Sequence, residues 1–267
     1  MTRGWVKSEH MAENKSTGGF WHSLFSGGPS LSDLPFETDM HSHVLPGVDD
    51  GFRTAEQSCK AVAQLASIGV RNMILTPHIY PELYPENNHD FITARFREDV
   101  AGLQAASGGM NFKIAGEHMV YEGIEDTFSA PMLLLPGRHI LIEMSYAYES
   151  ANIDETIFKL VCMDFHPVLA HPERYIFYPS DLKRIRNLID KGCVLQLNLL
   201  SLGGFYGKGA LVKAEAILEK GLYSYAGTDL HSLAQIGMLR SLRFKKKHAA
   251  ALERIMLGTT VLFNSTR

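Results

Sequence analysis

The chain has 267 residues, 45% of them hydrophobic, which is enough for a sizeable core in one or two domains. A formal net charge of −3, from 26 basic and 29 acidic residues, excludes a strong field for nucleic acid or an acidic membrane. No run of about 18 apolar residues is present and the start lacks a signal peptide's apolar core, so a cytoplasmic protein without a spanning segment is the expectation.

Residues 1–35 read as a flexible leader, polar and Gly/Ser-rich apart from Phe20-Trp21-His22-Ser23-Leu24-Phe25, an aromatic patch suited to docking on the body. From Phe36 to the end, short strand-type runs alternate with helical patterns. That alternation argues for an α/β parallel sheet or barrel, and a barrel of this kind commonly fills about 250 residues as one domain. The first strand ends at His41. Thr54 caps a helix that Gly69 stops. Val70 to Thr76 is the second strand, followed by Pro77-His78 and a Pro-, Tyr- and Asn-rich loop to Asn88. A helix runs from His89 to Ala106. Phe112 to Gly116 is the third strand, followed by Glu117, and His139 to Ile142 the fourth, followed by Glu143. After a helix from Ile153 to Met163, Pro167 to Ala170 is the fifth strand, followed by His171. A helix from Asp181 to Lys191 leads to the sixth strand, Cys193 to Asn198. A helix from Gly209 to Lys220 leads to the seventh, Tyr223 to Gly227, followed by Asp229 and His231. The last helix spans His248 to Leu257.

Six of these seven strands thus end in His, Asp or Glu. In parallel barrels the chemistry sits at the C-terminal ends of the strands. The first pair, His41 and His43, lies at i and i+2, on one face of an extended chain. Singly, each residue has an ordinary explanation as a strand end, turn or cap; six at the same end point to a metal cluster. The candidate ligands are His41, His43, Asp50, His78, Glu117, Glu143, His171, Asp229 and His231. Imidazoles and carboxylates without thiolate suit manganese, iron, cobalt or zinc. Nine ligands suit two or three ions, and ions about 3.5–4 Å apart clamp phosphoryl oxygens. Arg174, three residues past His171, offers the forked geometry that matches a phosphate. His10, His22, His89 and His248 read as solvated; His118, His139 and His166 as structural. Cys59, Cys162 and Cys193 read as small buried apolar residues. None is followed six positions later by arginine, as a cysteine-dependent tyrosine phosphatase would require. The run Arg243-Phe244-Lys245-Lys246-Lys247 reads as a solvated face.

Four segments carry a resemblance: His41-Ser-His43, Thr76-Pro-His78, His171-Pro-Glu-Arg174 and Gly227-Thr-Asp-Leu-His231. They resemble the motifs of the PHP (polymerase and histidinol phosphatase) superfamily. More closely, with His41 to Gly51 and Gln196 to Tyr206, the chain is similar to bacterial manganese-dependent protein-tyrosine phosphatases of capsular and exopolysaccharide loci. The resemblance implies a distorted (β/α)7 barrel of the PHP type, residues 36–267, holding three divalent ions, with Mn2+ the expected metal. It implies His41, His43, Glu117 and Asp229 on the first ion, Glu117, Glu143 and His171 on the second, and Asp50, His78 and His231 on the third. Arg174 would hold the phosphate, and a water acidified by the metals would attack phosphorus in line, with Asp50 or His231 returning a proton. The implied substrate is a phosphotyrosine protein, the cytoplasmic tail of a membrane tyrosine autokinase, with at most transient membrane contact and oligomers possible. The chain departs from the pattern after His231, where Ser232-Leu233-Ala234-Gln235 stands in place of a basic residue. The aromatic segments Ile79 to Pro85 and Tyr175 to Pro179 flank the expected site and suit a phenyl ring. Two alternatives stay open: a phosphoesterase for a small molecule such as histidinol phosphate or a nucleotide, and a metal-binding regulatory module without turnover.

Overall fold

The alternation of apolar runs with capped helical segments becomes a ring of parallel strands with helices outside it. A computed structural model describes residues 27–266. In chain order the elements are β1 (Thr38–Asp39), α1 (Ala55–Ala66), β2 (Asn72–Leu75), β3 (His78–Ile79), α2 (His89–Ala106), β4 (Asn111–Ile114), β5 (Glu117–Met119), β6 (His139–Glu143), α3 (Ile153–Cys162), β7 (His166–Ala170), α4 (Lys183–Asp190), β8 (Val194–Asn198), α5 (Gly207–Glu219), β9 (Tyr223–Gly227), α6 (Leu233–Ser241) and α7 (Ala249–Asn264).

All paired strands are parallel, in the orders β1-β2-β4 and β3-β5-β6-β7-β8-β9. Two of the expected strands, placed to end at Thr76 and Gly116, continue beyond a break as second segments. β3 resumes after Thr76-Pro77, where proline has no N–H to give, and β5 resumes after Ala115-Gly116. Counted as continuations, the nine segments are seven staves. The ring closes where the extension of β1 meets that of β9. Ser42 bridges Leu230 in parallel, Asp229 N donates to His41 O at 2.8 Å, and His43 N donates to Leu230 O at 3.0 Å. The result is a distorted (β/α)7 barrel.

Strand periodicity sorts the core into two layers. Met73, Leu75, Ile140, Ile142 and Leu169 face the helices and join the main core. Ile74, Leu141, Val168 and Ala170 face the barrel axis, where Leu262 and Phe263 of α7 and Leu135 pack against them. This apolar plug fills one part of the interior. Glu143, two residues beyond Leu141 on the same face, is left with the polar strand ends. The helices start where side chains cap them: Thr54 accepts from Gln57 N, and Asn88 from Asp90 N and Phe91 N.

α6 was not expected. Its pattern is weakly amphipathic and interrupted by Gly237, yet Ser232-x-x-Gln235 is a capping-box spacing. α7 also runs past the expected end at Leu257, because its last turn supplies the plug. Residues 29–34, expected in the leader, pack on the body. Phe244 N donates to Pro29 O at 2.9 Å, Ser30 bridges Arg243, and Leu31 is buried. The patch Phe20 to Phe25, with His10 and His22, lies outside the described residues. Among the described residues no helix is long and apolar enough to cross a membrane.

Candidate metal centre

His41 and His43 leave β1 with their rings turned toward the barrel axis. Glu117 opens β5 and Asp229 follows β9. His41 Nε2 lies 3.2 Å from Glu117 Oε2 and 3.4 Å from Asp229 Oδ1; His43 Nε2 lies 3.2 and 3.3 Å from the same two atoms. The two Nε2 atoms are 3.3 Å apart. All four side chains are at most 3% exposed. Two glycines make room: a Cβ at Gly227 would meet His41 Cβ at 2.8 Å, and one at Gly51 would meet His43 O at 2.2 Å.

The tautomers follow from the far side of each ring. His43 Nδ1 faces Asp49 Oδ2 at 2.8 Å. His41 Nδ1 faces Gln196 Oε1 at 3.1 Å, and the same oxygen accepts His171 N at 3.3 Å. Both partners accept, so both Nδ1 atoms donate. In the neutral rings both Nε2 lone pairs then point at each other and at two carboxylate oxygens. Such a set needs a cation, or protons in its place. Burial alone would lower His41 and His43, but the surrounding carboxylates raise His41 above, and His43 well above, the usual imidazole value. Burial would raise Glu117 and Asp229, but the imidazoles hold both well below the usual carboxylate range, with Arg174 helping at Asp229. Glu117 Oε2 is buried without a hydrogen bond among the described residues, although His41 Nε2, His43 Nε2 and His78 Nδ1 all lie 3.2 Å away. His171 Nδ1 is buried and has no hydrogen-bond partner among the described residues either. Orphaned buried acceptors cost free energy unless a ligand meets them, so these residues fit a divalent cation.

His78 connects the inner group to an outer one. Its Nδ1 lies 2.9 Å from Glu143 Oε1, and its Nε2 lies 3.3 Å from Asp50 Oδ1. His231 Nε2 reaches the same Asp50 oxygen at 3.4 Å, and its ring stacks on His43 at 3.9 Å. Burial and His43 lower the His78 pKa, but Asp50, Glu143 and Glu117 outweigh them and push it up to about 10. Hydrogen bonds from His231 and His78 hold Asp50 far below its ordinary value. Burial, with Glu117 beside it, raises Glu143. Burial and then Arg174 push His171 down to about 4.

All nine expected ligands therefore converge. Their atoms form three groups within 4.8 Å: His41, Glu117, His171 and Asp229; His78, Glu117 and Glu143; and His43, Asp50, His78 and His231. The partition differs from the one the resemblance implied. His171 joins His41 rather than Glu143, whose imidazole neighbour is His78. His171 and Asp229 hold φ of 33° and 51°, a conformation that costs a non-glycine residue free energy and clusters at working sites.

Arg174 sits in a 3₁₀ turn, Pro172–Arg174, anchored from beneath by Glu173. That carboxylate accepts from Asn198 N at 3.0 Å, Ser201 Oγ at 2.8 Å and Tyr223 OH at 2.8 Å. Arg174 Nη1 pairs with Asp229 Oδ2. Over this floor lies a cavity of about 1090 Å³, open to solvent, with Tyr80, Tyr84, Tyr121, Tyr146 and Tyr206 among its walls. Of the two aromatic segments expected to flank the site, only the first lines this cavity. Tyr175 and Tyr178 are buried in the core, and the Tyr175 hydroxyl accepts Met144 N.

Sequence reasoning gave no role to Gln196 and Asn198. Their signal was a polar residue at alternate positions of an apolar strand, Val194-Leu-Gln-Leu-Asn198. Asp39 belongs with them: it accepts from Thr228 N, Thr228 Oγ1 and His41 N, and burial pushes it up to about 6 despite those bonds. His118, His139 and His166 lie outside the ligand groups. His248, expected to be solvated, is buried against Glu219. The basic run pairs with α5, Lys245 with Glu215 and Lys247 with Glu219.

The family model described as "Capsular polysaccharide synthesis, CpsB/CapC" matches residues 37–252. Tyrosine-protein phosphatase CpsB of Streptococcus pneumoniae is 29% identical over 210 residues, 73% of this chain and 83% of the relative. Tyrosine-protein phosphatase YwqE of Bacillus subtilis is 24% identical over 208 residues, 73% and 77% of the two chains. Among solved structures, one reported with YwqE from Bacillus subtilis and CpsB from Streptococcus pneumoniae as unique metal-dependent tyrosine phosphatases aligns with a TM-score of 0.72. It has 22% identity and covers 86% of this chain and 95% of that one.

Proposed function

Because the chain belongs to the CpsB/CapC family of capsular polysaccharide synthesis, we propose that it is a metal-dependent protein-tyrosine phosphatase. The proposed substrate is a phosphotyrosine protein, the cytoplasmic tail of a membrane autokinase that governs capsule or exopolysaccharide synthesis. The observation that carries the reading is the convergence of His41 Nε2 and His43 Nε2, 3.3 Å apart, on Glu117 Oε2 and Asp229 Oδ1, each oxygen within 3.4 Å of both nitrogens, beneath a cavity fronted by Arg174. The openness of that cavity favours a side chain presented by a protein over a small molecule enclosed on all sides.

His41, His43, Glu117, Glu143, His171, Asp229, His78, Asp50 and His231 would hold the ions, three by the number of ligand groups, and Mn2+ is the metal proposed. Bound divalent ions supply Lewis acidity and a water acidic enough to attack phosphorus near neutral pH. The chain does the rest. Asp49 and Gln196 fix the ring orientations of His43 and His41. Arg174 offers its free N–H groups to the phosphoryl oxygens as negative charge develops there. Tyr80 and Tyr84 flank the phenyl ring by edge or face contacts. At the exposed rim, Asp50 orients His231, which returns a proton to the leaving oxygen. A phenol has a pKa of about 10, so this leaving group asks little of its acid.

The test is hydrolysis of a phosphotyrosine peptide, a phosphoserine peptide and histidinol phosphate, each after chelation and after manganese is restored. Manganese-dependent preference for phosphotyrosine is the expected result. Preference for histidinol phosphate transfers the site to a small-molecule substrate. Absence of turnover with metal bound leaves a regulatory module.

A further inference from the structure

Arg174 follows β7, and in the sheet β7 lies between β6 and β8. The segment after β6 carries Tyr146 and the segment after β8 carries Tyr206. The guanidinium carbon of Arg174 lies 4.5 Å from the Tyr146 ring centroid and 4.0 Å from that of Tyr206, over the ring in each case. Both tyrosines are themselves held. Tyr146 rests against His171 at 5.7 Å and Tyr175 at 6.1 Å. The Tyr206 hydroxyl accepts Asn198 Nδ2 at 3.0 Å, and the same amide nitrogen reaches Asp229 Oδ2 at 3.3 Å. Arg174 gives only Nη1 to Asp229. Its Nε and Nη2 donors have no hydrogen-bond partner among the described residues, and the side chain, 14% exposed, lines the cavity together with both rings.

A guanidinium is planar and presents its donors along its edges. Rings over its faces restrict rotation about the side chain's last bonds and leave those edges free. We propose that Tyr146 and Tyr206 are positioning residues that clamp Arg174 in one plane, so that one edge stays on Asp229 while the other is presented to the phosphoryl group of the substrate. The clamp rests on the reading of Arg174 as the phosphate-binding residue. It also gives the aromatic pair a task distinct from stacking on a substrate ring, since both rings spend a face on the cation. Asp229 then couples two functions: Oδ1 faces His41 and His43, and Oδ2 faces Arg174 and Asn198.

The experiment is steady-state hydrolysis of a phosphotyrosine peptide, with inhibition by inorganic phosphate and bound manganese per chain measured alongside. The variants are Tyr146→Leu, Tyr146→Phe and Tyr206→Leu, each made in the natural chain and with Arg174→Ala. In the natural chain each leucine variant is expected to raise KM and the phosphate inhibition constant about 3- to 30-fold, with bound manganese unchanged. Tyr146→Phe keeps the ring and stays within about twofold. With Arg174→Ala the leucine changes add nothing further. Equal losses in both backgrounds overturn the clamp, because the rings then act without the cation. A raised peptide KM with an unchanged phosphate constant also overturns it, placing the rings on the substrate's phenyl group. If Arg174→Ala by itself leaves both constants untouched, the phosphate-binding reading fails and the clamp falls with it, a result distinct from the other two. Should Arg174→Ala lose its manganese, Arg174→Lys serves as the second background, because it keeps the charge without the planar fork.

Discussion

The inner and outer halves of the cluster differ in how their ligands are held. His41, His43, Glu117, His171 and Asp229 come from strand ends, are at most 3% exposed, and take their orientation from buried neighbours: Gln196 for His41, Asp49 for His43, Asn198 and Arg174 for Asp229. Asp50, His78 and His231 form the outer group, with side chains 59%, 14% and 25% exposed. Asp50 and His231 lie on loops; Asp50 faces His78 and His231, while His231 also stacks on His43 and faces Asp229. A site built this way has a rigid floor and an adjustable rim. The floor sets where charge is neutralised, because low exposure strengthens each electrostatic contact. The rim is where a large substrate can be met.

The contrast is broken most severely by removing a floor charge. Glu117→Gln keeps shape but leaves the imidazoles around it without their shared anion. Breaking a buried charge cluster costs about 3–5 kcal/mol, so metal affinity should fall roughly 10²- to 10⁴-fold, with turnover lost at limiting manganese; titration of bound manganese checks it. Asp49→Asn and Gln196→Leu test the supports instead of the floor itself. Each releases a ring whose donating nitrogen was fixed, and losses of about 10- to 100-fold in metal affinity are expected. If either variant binds manganese as the natural chain does, the floor is not held from behind. Asp50→Ala acts on the rim. It should lower bound metal by no more than one ion per chain, and should shift unfolding free energy within about 0.5 kcal/mol, as exposed substitutions do. Metal analysis with thermal melting separates that result from a general loss of the cluster.

The same contrast marks what was legible in the sequence. Floor ligands were visible because the residue after a strand is easy to read once strand-type runs are placed, and six such residues at one end are hard to attribute to chance. β9 and α2 match their expected limits, since Asn88 caps one and Gly227 ends the other. The second and third strands were expected to stop at Thr76 and Gly116, where the breaks fall; their resumption as β3 and β5 was not foreseen, because segments of two and three residues carry no strand pattern of their own. α6 escaped because burial, not amphipathic pattern, holds it: Ile236 and Leu239 are fully buried in a helix with little periodicity. The supports of the floor escaped for another reason. Gln196 acts across the barrel, on a ring 155 residues away in the chain, and no local pattern encodes a partner at that distance; Asp49 stands only six residues from His43, but the turn that brings it to the ring has no periodic pattern to read. Nor could spacing alone assign ligands to ions, because Glu117 and His78 each belong to two groups.

The smallest expected effect lies farthest from the floor. Tyr80 lines the cavity, its ring lies 6.2 Å from that of Tyr121, and its hydroxyl donates to Glu82 at 2.8 Å. None of these contacts reaches a ligand or Arg174. If the rim receives the phenyl ring of the substrate, Tyr80→Leu removes an aromatic contact worth about 0.5–1.5 kcal/mol, or roughly 2- to 12-fold in KM. Binding lost equally from ground and transition states leaves kcat in place, and bound manganese should not change. A fall in kcat with KM unchanged would instead connect this outer wall to the chemistry, which a rigid floor under an adjustable rim does not allow. The ratio of the two constants for this one variant therefore tests the division itself.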